Sequence, residues 1–385
     1  MSQFNLNSLS EYTGVDREKQ ILIEDMFHSI VFYSRKLSAE KMQSVELDDY
    51  CLCEPEMDIS PTKICPKCSQ KYPDYENFCL DCSVKLKDIE NVNVKAISVA
   101  HEFKCKGSNT FNDFNDIFTK ENLVKINDFK FKKSDFNKII KSIKATSIRN
   151  LDKAIKENEI DLDRLSILEK VILFTKSFSN VKYKSYGGEL GYYSFNEIFV
   201  DDRQLDSLQI TTMLHELTHF LIKEILTHIL CRLLDASKTK EIESIIAFIL
   251  TYSNENCLID EYAAHTVEGR FTLFGYQDYS SFLNIQNTID RSDEEIEMLK
   301  TIANTLANVV KGIVESFIDD DLLNEIKGQF RSDILDDPNY SQLRLENCTL
   351  LNSEGLLKAI QFILLDGFAT ASENMDKLYE INDMW

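Results

Sequence analysis

The spacing of apolar residues along the chain predicts a mainly helical protein. Apolar side chains recur every three or four residues, as on one face of an α-helix, over 16–46, 165–174, 240–252, 254–274, 292–317 and 353–378. A further helix is expected to begin near Ser207. The alternation typical of strands is confined to 181–186, 190–193 and 197–200. These elements predict an α+β fold, in which helices surround a small mixed sheet.

The helix that begins near Ser207 carries the pattern His-Glu-x-x-His. Residues four apart lie on one face of a helix, so His215 and His219 can direct two imidazoles at one metal ion. Glu216 is about 100° round the helix from His215 and can hold a water without taking a coordination site. The run 212–221 contains no Gly, no Pro and no charge except Glu216, as expected of a buried metal-binding helix. We therefore predict a zinc site here rather than two packed histidines.

The third zinc ligand is predicted in the next helix but one, because a hydrolytic zinc site usually has three protein ligands and an open position. Here the sequence resembles the zincin metallopeptidases of the gluzincin type, in which a second helix supplies a Glu in the pattern Glu-x-x-Ala-Asp or Glu-x-x-Ala-Asn. Glu261 and Ala264 match that pattern, and His265 stands where the family has Asp or Asn. The resemblance implies that Glu261 is the ligand. It leaves open whether His265 hydrogen-bonds a ligand, donates to the transition state or is the ligand itself.

Other residues are candidates for the remaining roles at this site. Glu255 and Glu268 compete with Glu261 as ligands, and both are expected to lie on solvated faces of their helix. An oxyanion that develops during catalysis needs a hydrogen-bond donor. The sequence offers four such donors without choosing among them: Tyr192, Tyr193, Tyr262 and His265.

The order of elements before the zinc helix also resembles a known family. Strands at 191–193 and 198–200, followed by the His-Glu-x-x-His helix, are similar to the ImmA/IrrE-like peptidases over about 80 residues, 190–270. The resemblance implies an edge strand that pairs with an extended substrate backbone beside the zinc. It also implies limited proteolysis of a specific intracellular protein. The motif itself makes Glu216 the general base, because its carboxylate can take the proton of a zinc-activated water.

A second metal site is predicted near the start of the chain, where six of the ten cysteines lie within 51–82. Four of them form two Cys-x-x-Cys pairs ten residues apart: Cys65, Cys68, Cys79 and Cys82. Four thiolates at this spacing can surround one zinc tetrahedrally, and 61–88 resembles a bacterial or archaeal zinc ribbon. The resemblance implies a closed structural site, which supplies folding energy to a module too small to bury a core. Two matched pairs count against the alternative of a dithiol redox pair.

Further ligands flank this module. Cys51 and Cys53 precede it, and His101 and Cys105 follow it, so a further structural zinc is one hypothesis for these four residues. The alternatives are thiols packed in a core, or Cys51 or Cys53 reaching over to block the catalytic zinc. The cofactors that we predict are one catalytic and one structural zinc ion.

Length and charge limit the function classes. The 385 residues carry a formal net charge of −21, which counts against general nucleic-acid binding because that needs a basic face. The chain has no apolar stretch long enough to span a bilayer and no signal peptide, so we expect a soluble cytoplasmic protein. The predicted domains are an N-terminal helical region (1–60), the zinc ribbon (61–88), a helical connector (89–160), a zincin-like domain (161–277) and a helical C-terminal region (278–385).

The sequence therefore predicts a zinc-dependent metallopeptidase that acts on a protein or peptide, in an oligomeric state that is left open. One rival is a zinc-ribbon regulatory protein whose peptidase-like domain acts only by binding a partner. A binding-only domain would not need the Glu216 carboxylate, which counts against this rival. A second rival is a zinc hydrolase that acts on a small amide.

Overall fold

The computed structural model describes residues 63–68, 70–72, 76–88, 93–99, 103–183, 191–194, 196–272, 285–334 and 350–384. These residues form many helices and a small three-stranded mixed sheet, so the predicted α+β class is confirmed. The helix predicted over 16–46 lies outside the described residues, as do Cys51, Cys53 and His101.

The strands form two small sheets. The strands of the first are β1 (Lys63–Ile64), β2 (Lys71–Tyr72) and β3 (Lys87–Asp88), in the order β2-β1-β3 and all antiparallel. The strands of the second are β4 (Asn180–Tyr183), β5 (Gly191–Ser194) and β6 (Glu197–Val200), in the order β4-β6-β5. β4 runs parallel to β6 and β5 runs antiparallel to it. The three strands predicted before the His-Glu-x-x-His helix are therefore confirmed over their described residues.

The helices follow in chain order: α1 (Phe114–Ile117), α2 (Lys120–Asp128), α3 (Lys133–Glu157), α4 (Ile167–Lys176), α5 (Asp206–Leu234), α6 (Lys240–Tyr252), α7 (Asn254–Phe271), α8 (Asp293–Val314), α9 (Asp320–Ile334), α10 (Ser353–Glu373) and α11 (Met375–Asp383). The capping box predicted at Ser292 is confirmed, because Ser292 and Glu295 bond reciprocally at the start of α8. The predicted apolar helix over 353–378 is two helices, α10 and α11, with Asn374 between them.

Helix α5 lies at the centre of the fold. It is 29 residues long, contains no Gly or Pro, and ends where Asp235 adopts a left-handed conformation with φ 49°. Its side chains are buried on nearly every face, as expected of a helix that other elements surround. It packs against α4, α6, α7, β5 and β6.

One hydrophobic core connects most of the chain. A single cluster of buried apolar residues extends from Val94 to Leu378, so the predicted ranges 89–160, 161–277 and 278–385 share it. The cysteine module has its own small cluster, whose buried members are Cys65, Tyr72, Cys79 and Leu86. The module therefore lacks a large core of its own, as its length suggested.

A buried lysine attaches the segment that follows the cysteine module to this core. Lys176 is 4% exposed at the end of α4, and its Nζ donates to the carbonyls of Val94 (3.3 Å), Lys95 and Ile97 (2.8 Å). Burial lowers the pKa of Lys176, and the three carbonyls supply the partners that a buried ammonium requires. The turn at 94–96 is thereby fixed against α4.

Within the described part of the chain, one helix has the length and composition to cross a membrane. This helix is α10, and half of its most apolar window is buried inside the protein. Core helices have the same composition, so the observation is weak evidence for a membrane segment, and the predicted absence of one stays a prediction.

Gly191 allows β5 to lie close to both β6 and the central helix. A Cβ at this position would lie 2.3 Å from the carbonyl oxygen of Phe199 and 2.4 Å from Cγ2 of Thr212. Atoms do not approach so closely without displacement, and the Phe199 oxygen belongs to the backbone. Gly191 therefore sets the spacing between the sheet and α5, one turn before His215.

We expect Gly191→Ala to destabilise the protein by about 1–3 kcal/mol, because the added methyl overpacks this contact. Thermal or denaturant unfolding measures the change. Gly328→Ala is the control: the added methyl in α9 meets nothing within 4 Å, and we expect it to raise stability by about 0.5–1 kcal/mol. Equal stability of the Gly191 variant and the wild type would contradict this account of the contact.

Candidate metal centre

The central helix presents His215 and His219 to the same space. The two residues are one turn apart on α5, their ring centroids are 4.9 Å apart, and their side chains are 14% and 11% exposed. The helix continues without a break through both residues because the run around them is apolar and free of helix breakers. The structure therefore places the two imidazoles on one helix face, as predicted.

Glu261 lies opposite the two histidines, on α7. Its Oε2 is 3.6 Å from Nε2 of His215, and its Oε1 is 3.8 Å from Nε2 of His219. These distances exceed the usual upper limit of about 3.2 Å for a hydrogen bond. They suit ligands of one shared ion, because donors about 2.1 Å from a tetrahedral zinc lie about 3.4 Å apart. One donor atom from each residue lies within 4.8 Å of the others, so the predicted set is brought together.

Two further carboxylates hold the outer nitrogen of each imidazole. Nδ1 of His215 donates to Oε2 of Glu268 at 2.9 Å, and Nδ1 of His219 donates to Oδ2 of Asp260 at 2.8 Å. A carboxylate on Nδ1 fixes the tautomer that leaves the Nε2 lone pair free for a metal. Both Nε2 atoms face Glu261, so the donor set and its outer partners together fit a zinc-type ion.

The expected position of Glu268 was wrong. We predicted it on a solvated face, but its residue is 2% exposed and it pairs with His215. Glu268 is seven residues after Glu261, about two helical turns, so the two carboxylates lie on one face of α7. This seven-residue spacing is the sequence signal by which Glu268 could have been placed beside Glu261.

Asp260 was also missed, although it directly precedes the predicted ligand. Glu255 is partly exposed and bonds Arg291 at 3.1 Å, so it does not join the cluster.

His265 completes a second layer behind His215. Its ring centroid is 4.5 Å from that of His215, and its Nδ1 donates to the same Glu268 oxygen at 3.2 Å. Burial lowers the pKa of His265, and the charge of His215 adds to that shift. One carboxylate therefore orients both rings, and it opposes the effect of burial on the pKa of His265. His215, His265 and Glu268 form a second group whose donor atoms lie within 4.8 Å of one another.

The charges around the cluster favour a cation. Burial acts to raise the pKa of Glu261, but His215 and His219 outweigh it and hold that pKa well below its usual range. Burial acts to lower the pKa of His219, but the Asp260 carboxylate outweighs it and raises that pKa to about 9. Glu261 thus stays charged in a buried place, and its carboxylate stabilises positive charge between itself and the imidazoles.

Glu216, the predicted base, is buried beside the cluster. It is 8% exposed, and burial raises its pKa while the charges of His215 and His219 oppose that shift. It is therefore close enough to both histidines to interact with their charge. Because Glu216 follows His215 by one residue, its side chain points about 100° round the helix from the imidazole of His215.

The predicted tyrosines do not all point to the cluster. Tyr262 is 1% exposed, and Lys300 of α8 lies 5.9 Å above its ring. This burial at the interface of α7 and α8 favours a structural role over the predicted catalytic one. On β5, Tyr192 stacks on Phe199 with centroids 4.5 Å apart, and the Tyr193 hydroxyl lies 3.4 Å from Oδ1 of Asn196.

Comparisons of the chain with protein-family models, with curated proteins and with solved structures gave no match.

The four predicted cysteines of the other site come together at the ends of two short turns. The thiols of Cys65, Cys68, Cys79 and Cys82 lie within 4.8 Å of one another. The sulfurs of Cys68 and Cys79 are 3.6 Å apart, and two ligands about 2.3 Å from a tetrahedral zinc would be about 3.8 Å apart. The four thiols can therefore bind a metal ion.

Backbone amides and one tyrosine support these thiols. The amide of Cys68 donates to Sγ of Cys65 at 3.5 Å, and that of Cys82 donates to Sγ of Cys79 at 3.3 Å. The Tyr72 hydroxyl lies 3.1 Å from the same sulfur of Cys79. Burial acts to raise the pKa of Cys79, but hydrogen bonds from Tyr72 and Cys82 outweigh it and lower that pKa to about 6. Cys79 thus favours the thiolate, which is the form that binds metals, whereas a hydrogen bond with Cys68 raises the pKa of Cys82 to about 12.

We expect Asp260→Ala to weaken metal binding at the histidine cluster about 10–100-fold, because it releases Nδ1 of His219. Competition with a chromophoric chelator measures the affinity. Glu255→Ala is the matched control, since it removes another α7 carboxylate that bonds only outside the cluster, to Arg291. Identical affinities for the two variants would show that Asp260 does not orient the ligand.

We expect Cys65→Ser or Cys79→Ser to unfold the module at 63–88 rather than only remove its ion, because the module has little apolar core. Limited proteolysis of the full chain, followed by mass spectrometry, would find new cleavage within these residues. Leu80→Ala is the control, because Leu80 is 78% exposed beside Cys79. Cysteine variants as resistant as the wild type would contradict the structural role.

Proposed function

We propose that the protein is a zinc-dependent metallopeptidase of the zincin type, in which His215, His219 and Glu261 hold the catalytic zinc. The observation that carries the proposal is the geometry of the two imidazoles. Their Nε2 atoms face one carboxylate at 3.6 and 3.8 Å, while their Nδ1 atoms are held by two others. Packed histidines need no such division between inner and outer nitrogens, whereas metal ligands do.

The donor set fits zinc. Imidazole and carboxylate are the ligands of three-residue hydrolytic zinc sites, and such sites keep a fourth position for water or substrate. When bound, zinc supplies Lewis acidity that activates water and polarises a carbonyl. The proposal assigns the four thiols at 65–82 to a second, structural zinc in a ribbon-like module, since four thiolates leave no open position.

Glu216 is the residue that moves protons in this proposal. Its carboxylate accepts a proton from the attacking water and passes that proton to the nitrogen of the leaving amine. Support for the role comes from its burial beside both ligand histidines, since a water-poor site strengthens its interaction with a reacting group. Glu268 and Asp260 are positioning residues, because they act through His215 and His219.

Among the candidates in α7, the proposal assigns the oxyanion to His265 in its protonated form. Its Nδ1 donates to Glu268, and only the imidazolium also carries a proton on Nε2. The Glu268 carboxylate favours that form against burial and the charge of His215. Its ring lies 4.5 Å from that of His215, whereas Tyr262 is covered by Lys300. These contacts favour His265 over Tyr262 among the candidates in α7.

The substrate class of the proposal is an extended peptide segment of a protein. β5 stands at the end of the strand order β4-β6-β5 and packs against α5 at Gly191, near Thr212. An extended chain can bind by adding a strand at such a place, with main-chain hydrogen bonds along its length. The likeness of this region to ImmA/IrrE-like peptidases adds the expectation of limited cleavage of one intracellular partner.

We expect Glu216→Gln to abolish turnover, by at least about a hundredfold, while zinc content and stability stay near those of the wild type. Gln is nearly isosteric with Glu but cannot accept the proton, and general base catalysis contributes about 10²–10⁴-fold. Cleavage of a co-expressed candidate partner, followed by mass spectrometry, measures activity. Glu261→Ala is the contrasting variant, because it removes a ligand and should lower zinc content as well.

Two outcomes would contradict the proposal. If Glu216→Gln cleaves the partner as fast as the wild type, the protein acts through a different mechanism or only by binding. If Glu261→Ala keeps its full zinc content while His265→Ala loses zinc, the third ligand is misassigned.

A further inference from the structure

The C-terminal half of α5 carries a second set of metal-binding residue types. Glu224, His228 and Cys231 are spaced four and three residues apart, so they lie along one face over two helical turns. All three are buried, with exposed fractions of 0%, 8% and 2%. The proposed peptidase mechanism uses none of them.

A fourth residue of this kind comes from a distant segment. The backbone carbonyl of Cys105 accepts from the amide of Lys238 at 3.3 Å, just beyond the end of α5. Gly107 packs directly against Ala236, with no room for a side chain. The Cys105 thiol interacts most strongly with Cys231 and less strongly with His228. These two residues lower the pKa of Cys105 to about 6, against the effect of burial. The fold thus brings two thiols, an imidazole and a carboxylate together.

Two of these groups have buried atoms that lack a hydrogen-bond partner. They are Oε2 of Glu224 and Nε2 of His228, which lie 3.7 Å apart. This separation is too long for a hydrogen bond and close to the 3.6 and 3.8 Å that separate Glu261 from its two histidines. Buried polar atoms without a partner are rare and call for an explanation, such as an ion.

The surrounding charges are already balanced without the thiols. Lys238 pairs with Oε1 of Glu224, and its Nζ lies 3.0 Å from Glu243, while Lys223 lies 3.2 Å from the same Glu243 oxygen. One buried and one partly buried lysine therefore meet two buried glutamates. A divalent cation bound by two thiolates adds no net charge to this network, so its burial does not require further counter-ions.

We propose that Cys105, Glu224, His228 and Cys231 bind a further zinc ion, which fastens the segment at 103–109 to the end of α5. Thiolate and imidazole ligands select zinc among the common divalent ions, and four protein ligands make a closed structural site. Among these described residues, no three donor atoms of the set lie within 4.8 Å of one another. Rotation of the two cysteine side chains toward Glu224 and His228 would complete the coordination.

The test is the zinc content of the full-length protein, purified without chelators and measured by elemental mass spectrometry. We expect His228→Gln and Cys231→Ser each to contain one zinc ion fewer per chain than the wild type. Glu243→Gln is the matched control, because it disturbs the same buried charge network but removes no ligand, and it should keep the wild-type count. The histidine cluster and the cysteine module remain intact in all three variants, so the difference reports only on this site.

A second measurement covers variants that fail to fold. Alkylation of the wild-type protein, followed by peptide mass spectrometry, should find Cys105 and Cys231 protected until a strong chelator is added. Equal zinc content in His228→Gln, Cys231→Ser and the wild type would overturn the proposal. Two other results would overturn it as well: a Cys105–Cys231 disulfide in the purified protein, or alkylation of both thiols that is as fast without chelator as with it.

Discussion

Ionised side chains are buried on α5 beside partners of opposite charge, and this requirement organises the surrounding chain. A buried ionised group without a partner costs several kcal/mol. In the N-terminal half of α5, His215 and His219 meet carboxylates from α7. In its C-terminal half, Lys223 and Glu224 meet Glu243 and Lys238. The elements that pack against α5 are therefore complementary to it in charge as well as in shape.

Helix α7 meets this requirement on one face and packs on the other. Its inner face supplies Asp260, Glu261 and Glu268 to the histidines of α5. Its outer side packs on α8, where Thr266 bonds Asn304 at 3.3 Å and Tyr262 lies beneath Lys300. The C-terminal helices thus hold α7 in place, although none of their described residues belongs to the histidine cluster. This contact explains why the predicted domain boundary near 277 crosses a continuous core.

Features that depend on short stretches of chain could be predicted from the sequence. The His-Glu-x-x-His spacing fixes two imidazoles on one face of a helix whatever surrounds it. The alternation at 197–200 gave a strand, the Ser292 capping box gave a helix start, and the paired Cys-x-x-Cys turns gave a cluster of thiols. Glu261 was found only with the help of a resemblance, because nothing local separates it from the other acidic residues of α7.

The partners of these residues were decided by tertiary structure. Asp260 accepts from His219, and Glu268 accepts from His215. Both contacts exist because α7 packs on α5 with the face that carries these two carboxylates. Cys105 reached Cys231 because the chain at 105–109 pairs with the residues after α5. The sequence by itself determined which side chains share a helix face, since that depends only on the helical repeat. Which faces meet depends on the packing of the whole core, and no local pattern records it.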